Sequence, residues 1–162
     1  MSISVLFVCL GNICRSPTAH AVFEQKIKAE NLDQYVVVDS AGTGSWHIGA
    51  LPDRRTRETA AKYGYAMDHL KARQVSGDDF AKFDYIFAMD KSNLSDLQSL
   101  CPHNYQGTLA LFLPFCGASL MDEVPDPYYG GEAGFEKVLS VIERSSDKLV
   151  DMIQQQINSQ RD

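Results

Sequence analysis

A stretch close to the start of the chain constrains the fold more than any other. Residues Ile3 to Cys9 form an apolar run rich in β-branched side chains, which is typical of a strand buried on both faces of a parallel sheet. Ser16 suits the N-cap of a helix and Pro17 its first position. Apolar residues at helical spacing then continue to Ile27. This order predicts a strand, a glycine-bearing loop and a helix.

The alternation of strands and helices continues along the chain. Further buried strands are predicted at residues 35–39, 85–89 and 108–112. Helices are predicted from a cap at Asp53 to about Tyr63, after a capping box from Ser76 to Asp79, at 92–100 and at 133–157. Residues 113–131 are expected to be irregular. For a chain of 162 residues, this pattern predicts a single domain over residues 1–162, with an α/β fold. We expect a four-stranded parallel sheet, doubly wound, with helices on both faces.

Charge and composition exclude several classes of protein. With 15 basic and 21 acidic residues the net charge is −6, so the surface as a whole is not suited to nucleic acid, and an anion has to be bound by a local device. The four cysteines and four histidines are widely spaced, which predicts neither a metal site nor a cofactor. The N-terminal apolar run is too short to span a bilayer and has no basic leader, so we expect a reduced, cytoplasmic protein without a membrane partner.

The loop after the first strand has the residues of a local anion-binding site. Cys9 and Arg15 are separated by five residues, at the carboxyl end of a strand, where open parallel sheets bind ligands. Successive backbone N–H groups and the following helix end form an anion cradle. Gly11 is expected to take the backbone torsions of the curl, and Arg15 to bind two phosphate oxygens. The predicted phosphate-binding residues are Leu10, Gly11, Asn12, Ile13, Cys14 and Ser16.

The same surroundings act on the Cys9 thiol. A thiol beside an arginine and a helix N-terminus loses its proton at neutral pH and becomes a nucleophile facing the anion. In-line attack on phosphorus would give a cysteinyl-phosphate. A cysteine after a buried strand is more often a packing residue, and C-x5-R alone occurs by chance. The longer pattern C-x5-R-S-P between a strand and a capped helix is far more specific.

The reaction also needs an acid for the leaving oxygen, and Asp126 is the best candidate. It lies between Pro125 and Pro127, which disfavour a helix and fix the carboxylate on a rigid loop. Asp122 and Glu123 are alternatives in an ordinary acidic loop, and the segment can also be read as a simple turn. The following Tyr128 and Tyr129 offer aromatic walls for a ring-bearing substrate.

Five motifs in the same order carry a resemblance along nearly the whole chain: VCLGNICRSP, DSAGTGSW, ARQV, FDYIFAMDKSNLSDL and DPYYG. Together they resemble the low-molecular-weight protein tyrosine phosphatases. The resemblance implies a metal-free, cofactor-free phosphatase for phosphotyrosine proteins or small aryl phosphates, inhibited by inorganic phosphate and other oxyanions. It implies that Cys9 is the nucleophile, Arg15 the phosphate clamp and Asp126 the general acid.

The resemblance also assigns roles to residues around the loop. Asn12, Ser16 and Ser40 match positions that hold the loop and stabilise the thiolate, and Trp46, Tyr128 and Tyr129 match the walls of the substrate crevice. The family has a histidine three residues before the arginine of ARQV, whereas His69 lies four before Arg73. His69 is therefore either an outer partner of the loop or a surface histidine.

Several alternatives remain at this stage. Ile13 and the sequence DPYYG look like the tyrosine-directed branch, whereas bacterial arginine phosphatases of this fold carry threonine and phenylalanine-glycine there. Arsenate reductases need a close cysteine pair, but Cys101 and Cys116 are 15 residues apart. A non-catalytic phosphate-binding module would need neither thiolate nor acid.

Cys14 and the basic run at residues 53–57 each have two possible interpretations. Cys14 is either a space-filling residue or, as the resemblance implies, a redox partner that forms a disulfide with oxidised Cys9. The run DRRTR at residues 53–57 is either a contact for acidic residues of a substrate or the solvated start of a helix.

Overall fold

A computed structural model describes residues 2–161. Its sheet has four parallel strands in the order β2-β1-β3-β4. The strands are β1 (Ile3–Cys9), β2 (Val36–Gly42), β3 (Tyr85–Ala88) and β4 (Thr108–Leu111). Strand β1 lies between β2 and β3, and its alternate side chains enter two separate cores, so its apolar run is buried on both faces, as the sequence predicts.

Six helices cover the two faces of this sheet within the described residues. They are α1 (Arg15–Ala29), α2 (Arg54–Lys62), α3 (Asp79–Lys82), α4 (Lys91–Leu100), α5 (Phe112–Cys116) and α6 (Glu132–Arg161). Phe7 points into a core shared with α1, α5 and α6, and its neighbour Leu6 into a second core with α3 and α4. The predicted doubly wound α/β fold is confirmed. Within residues 2–161, the apolar stretches of these helices are too short for a bilayer crossing.

The strand that carries the loop is anchored by aromatic packing. The Phe7 ring lies 5.8 Å from Phe23 of α1, 6.0 Å from Phe87 of β3 and 5.2 Å from Phe112 of α5, measured between ring centroids. All four side chains are fully buried. Such aromatic clusters contribute strongly to core stability. Because Phe7 is two residues before Cys9, this cluster fixes the end of the strand from which the loop begins.

Three local predictions are wrong. Helix α3 begins at Asp79 with Asp78 as its N-cap, so Ser76 does not cap it, although the Ser76 N–H donates to Asp79 Oδ2 over 2.9 Å. Helix α1 begins at Arg15 with Cys14 as its N-cap, so Ser16 lies inside the first turn, where its hydroxyl faces the loop rather than the helix backbone. Residues 113–131 are not wholly irregular, because 112–116 form α5, which ends at Gly117 in the left-handed conformation with φ 69°. Pro114 is tolerated there because it lies in the first turn of the helix.

Candidate active site

The loop between β1 and α1 is held in shape by Asn12. Its φ of 56° is in the left-handed region, and its side chain is buried. The carboxamide donates to Ser16 Oγ over 2.8 Å and accepts from the Arg73 N–H over 3.0 Å. Gly11, expected to carry the unusual torsion, does not have a positive φ. Instead, its missing side chain leaves room for His47, since a Cβ there would lie 3.0 Å from the imidazole.

The backbone amides of this loop are open. Within residues 2–161, none of the N–H groups of residues 10–15 donates a hydrogen bond to another group of the chain. Backbone donors are almost always paired in folded proteins. A run of unpaired donors in a curled loop at a helix N-terminus is therefore suited to an oxyanion.

Cys9 lies at the bottom of the site, only 3% exposed. Its Sγ is 3.0 Å from Ser16 Oγ, which is also 3.3 Å from the carbonyl oxygen of Ala41. The single hydroxyl proton of Ser16 thus has two possible acceptors, and an ionised sulfur is the stronger one. Because Asn12 donates to the same oxygen, Ser16 is oriented to stabilise a thiolate.

Arg15 is buried, and its guanidinium contacts two segments distant in sequence, Asp90 at the start of α4 and residues 124–126. Nη1 donates to Asp90 Oδ2 over 2.6 Å and to the carbonyl of Val124 over 3.1 Å. Nη2 lies 3.7 Å from Asp126 Oδ2. Burial disfavours the charged guanidinium, but the Cys9 sulfur and the Asp90 and Asp126 carboxylates outweigh it and raise the pKa of Arg15. The cation therefore stays charged at any physiological pH.

Asp90 is a residue of the candidate site that the sequence analysis missed. It follows β3 and caps α4, with Asn93 completing a capping box. From the sequence, Asp90 can be interpreted only as the start of a helix. Its contact with Arg15 gives no local pattern, because the two residues are 75 positions apart.

Asp126 lies opposite the loop on the segment before α6. Its Oδ1 accepts from the Tyr128 N–H over 3.0 Å, and its side chain is 43% exposed. The alternative Glu123 accepts from the Lys91 N–H at the start of α4, over 2.8 Å. Of these two carboxylates, only Asp126 lines the pocket above Cys9.

These groups enclose a pocket of about 310 Å³. The side chains and backbone that line it are Cys9, Leu10, Gly11, Ile13, Cys14, Arg15, Trp46, His47, Asp126, Tyr128 and Tyr129. Trp46 and Tyr129 stand at the rim, 73% and 93% exposed. His47, which the sequence analysis left without a role, lies against Gly11 and lines the same pocket as Trp46. Asn12 and Ser16 support the loop from behind.

Ser40 and His69 belong to a separate cluster beside the loop. His20 Nδ1 lies 2.9 Å from Ser40 Oγ, and Glu24 bridges His20 and His69 at 3.5 Å and 2.8 Å. The hydrogen bond from His20, with that from His69, outweighs burial and lowers the pKa of Glu24 to about 2. His69 is half exposed, and its contacts are with this cluster rather than with the loop.

The remaining thiols differ in their surroundings. Cys14 is buried and lines the same pocket as Cys9, and burial raises the pKa of its thiol to about 12. Cys101 and Cys116 pack on opposite faces of the sheet, so they cannot meet without unfolding. Among residues 2–161, no cluster of three or more His, Cys, Asp or Glu side chains could hold a metal ion.

A parallel sheet whose first turn carries a cysteine, an arginine and open amides defines a class of protein, the cysteine-dependent phosphatases. Residues 4–160 match the family described as low molecular weight phosphotyrosine protein phosphatase, and the chain belongs to this family.

Relatives and solved structures support this assignment. A low molecular weight phosphotyrosine protein phosphatase from Schizosaccharomyces pombe is 47% identical over 135 residues, which is 83% of this chain and 86% of the relative. A protein tyrosine phosphatase from Entamoeba histolytica, solved with Hepes in the active site, has a TM-score of 0.90 and 43% identity, covering 95% of this chain and 98% of that one. A Drosophila arginine phosphatase is also similar, with a TM-score of 0.85, 35% identity and coverage of 92% and 96%.

Proposed function

We propose that this chain hydrolyses phosphotyrosine in proteins, and small aryl phosphates, through a cysteinyl-phosphate and without a metal ion. The observation that carries the proposal is the meeting of three groups in one pocket. The Cys9 sulfur lies at the bottom, the Arg15 guanidinium beside it and the Asp126 carboxylate above. Each has the chemistry that one part of the reaction needs.

In the first step the Cys9 thiolate attacks phosphorus in line with the leaving oxygen. The phosphorus–sulfur bond forms as the phosphorus–oxygen bond to the aryl group breaks, and Asp126 gives its proton to the departing oxygen. The open amides of residues 10–15 and the Arg15 guanidinium stabilise the charge on the equatorial oxygens. In the second step Asp126 takes a proton from water, which attacks phosphorus and releases inorganic phosphate and the thiolate.

The shape of the pocket favours aryl phosphates. Because Cys9 is only 3% exposed, the phosphoryl group has to enter deeply, and the rim is formed by the rings of Trp46, Tyr128 and Tyr129. A phosphotyrosine ring spans this depth and stacks on aromatic walls, whereas a phosphoserine side chain is too short. Phosphate and other oxyanions would occupy the cradle as inhibitors. The relative with Hepes, a sulfonate, in its active site supports this inference.

Phosphoarginine is the second candidate substrate, because one similar structure is an arginine phosphatase. A guanidine-linked phosphate also reaches deeply into a narrow pocket. The position of Cys101 and Cys116 on opposite sheet faces disfavours the arsenate reductase alternative, which needs a close pair of thiols.

Redox control and location are part of the proposal. Peroxide would convert the Cys9 thiolate to a sulfenic acid, and the Cys14 sulfur would displace its hydroxyl as water to form a disulfide. The support is that both thiols line one pocket. Cys9, Cys14, Cys101 and Cys116 are all free thiols, which fits a reducing compartment such as the cytoplasm.

A panel of substrates tests the proposed function. Peptides carrying phosphotyrosine, phosphoserine or phosphoarginine are assayed with and without EDTA. We expect hydrolysis of the phosphotyrosine peptide at a rate that the chelator does not change. Preference for phosphoarginine would select the second candidate, and loss of activity with EDTA would contradict the mechanism. Cys9→Ser is expected to abolish turnover while still binding inorganic phosphate, because the cradle is made of backbone groups.

A further inference from the structure

Arg55, in the first turn of α2, is fixed to the nucleophile loop through Asp53. Its Nε and Nη2 donate to the two carboxylate oxygens of Asp53 over 3.1 Å and 3.0 Å. The backbone N–H of Asp53 donates in turn to the carbonyl of Ile13 over 2.8 Å. A two-point guanidinium–carboxylate pair fixes direction as well as distance. The plane of the Arg55 side chain is therefore set by the loop that binds the phosphoryl group.

The faces of the same guanidinium contact the acid side of the site. Arg55 Cζ lies 5.3 Å from the centre of the Tyr128 ring and 4.8 Å from that of Phe135. Both distances are within the range of cation–π attraction. Phe135 is buried in the first turns of α6, whereas Tyr128 forms part of the pocket wall. Arg55 thus holds an otherwise exposed segment against a fixed part of the fold.

Tyr128, held in this way by Arg55, in turn orients the Asp126 carboxylate. The Tyr128 N–H donates to Asp126 Oδ1 over 3.0 Å, and the flanking Pro125 and Pro127 have no N–H to offer. The other oxygen lies 3.7 Å from the Arg15 guanidinium. The orientation of the acid therefore depends on where the backbone of Tyr128 lies.

We propose that Arg55 is a positioning residue for the phosphatase reaction. It holds Tyr128, and through the Tyr128 N–H the Asp126 carboxylate, in register with the loop that carries Cys9. This inference rests on the proposed function, in which Asp126 is the acid and base. It also adds a third interpretation of the run at residues 53–57, because Arg55 is paired with Asp53 and lies against two aromatic rings instead of being freely solvated.

The neighbouring arginine provides a matched control. Arg54 is on the same helical turn, but its side chain is 78% exposed and its ion pair is with Glu58, at 3.7 Å. Arg54→Met removes the same charge from the same helix without touching the pocket. Arg55→Met keeps an apolar stem beside Tyr128 and Phe135 but removes the fork and the cation.

The test measures kcat/KM for aryl phosphates whose leaving groups differ in basicity. For Arg55→Met we expect a loss of about 5- to 20-fold with phenyl phosphate and less than about threefold with p-nitrophenyl phosphate, since a good leaving group needs little protonation. Arg54→Met is expected to stay within about twofold of the wild type for both substrates, as surface changes do. Arg55→Lys, which keeps charge but not the planar fork, is expected to give an intermediate loss with phenyl phosphate.

The same substitution made in an Asp126→Asn protein tests whether Arg55 acts through the acid. In Asp126→Asn the extra loss caused by Arg55→Met with phenyl phosphate is expected to vanish, because the group it positions is no longer an acid. The inference is overturned if the loss persists in that background, if it is equal for both leaving groups, or if Arg54→Met reproduces it. A wild type without aryl phosphatase activity would overturn the proposed function itself, whereas an active wild type with an unchanged Arg55→Met variant overturns this inference alone.

Discussion

The guanidinium of Arg15 and the carboxylate of Asp90 form an ion pair 2.6 Å long, which joins the start of α1 to the start of α4. One carboxylate oxygen binds Arg15, and the other accepts from the Asn93 N–H over 2.7 Å to cap α4. Nη1 is held by Asp90 and by Val124, whereas Nη2 lies at the longer distance of 3.7 Å from Asp126 Oδ2 and has donors left for an oxyanion. The Asp90 side chain therefore both caps a helix and orients the Arg15 guanidinium.

Asp90→Asn separates these two roles. Asparagine caps a helix as well as aspartate does, but once its Oδ1 accepts from the Asn93 N–H, its Nδ2 is a second donor facing Arg15, so the charge-assisted bond is lost. We expect kcat/KM for p-nitrophenyl phosphate to fall by about 10- to 100-fold, which corresponds to a hydrogen bond to a charged group. Asp90→Ala also loses the cap and is expected to lower the free energy of unfolding by about 1 kcal/mol more than Asp90→Asn in urea titrations. Full activity of Asp90→Asn would contradict the assigned role.

Asp126→Ala is expected to impair poor leaving groups selectively. General acids contribute about 10²- to 10⁴-fold, so kcat/KM for phenyl phosphate should fall by about that factor, and much less for p-nitrophenyl phosphate. Glu123→Gln is the matched control, since Glu123 binds the Lys91 N–H outside the pocket. If Glu123→Gln, rather than Asp126→Ala, gave the leaving-group dependence, Glu123 would be the acid.

Cys14→Ser is expected to remove recovery from oxidation. Peroxide inactivates both proteins, but only the wild type can trap oxidised Cys9 as a disulfide that dithiothreitol reduces. We expect dithiothreitol to restore most of the wild-type activity and little of that of Cys14→Ser. Cys101→Ser serves as the control, because Cys101 lies in the other core, with α4. Equal recovery of Cys14→Ser and wild type would end the redox proposal.

The Glu24 cluster predicts how stability depends on pH. His20, with His69, lowers the pKa of Glu24 from 4.5 to about 2 in the folded protein. A lowered pKa adds stability above the unfolded value, and this contribution is lost as the pH falls from about 4.5 towards 2. Between pH 5 and pH 2 we expect the wild type to lose about 1–2 kcal/mol more than Glu24→Gln in urea unfolding. Glu30→Gln, exposed at the end of α1, should follow the wild type; identical curves for wild type and Glu24→Gln would refute the prediction.

Most of the fold could be predicted from the sequence because its signals are local. The apolar run at Ile3–Cys9 coincides with β1, those at residues 35–39, 85–89 and 108–112 overlap β2, β3 and β4, and Asp53 marks the start of α2. Helix α5 was missed because a five-residue helix has too few turns to show a period, and Pro114 reads as a breaker.

The site was predictable only in part. The thiol and the guanidinium lie within one loop, so their spacing reveals them, and the prolines around Asp126 draw attention to the acid. Asp90 pairs with Arg15 across 75 residues, and no spacing rule connects them. The prediction of Ser16 as an N-cap is wrong because a serine before a proline at a helix start looks the same in the sequence in both cases. Its hydroxyl can face either the helix backbone or, as here, the Cys9 sulfur.

The pocket draws on chain segments that are far apart, and Arg15 bonds Val124 across 109 residues. A fragment ending before that point would contain the whole loop between β1 and α1 yet lack Asp126 and two of the three aromatic rings that line the pocket, Tyr128 and Tyr129. Turnover after renaturation therefore requires the last quarter of the chain to dock beside the loop, whereas the backbone amides suited to an oxyanion lie within residues 10–15. Recovered catalysis is thus a stricter measure of complete folding in this protein than recovered ligand binding.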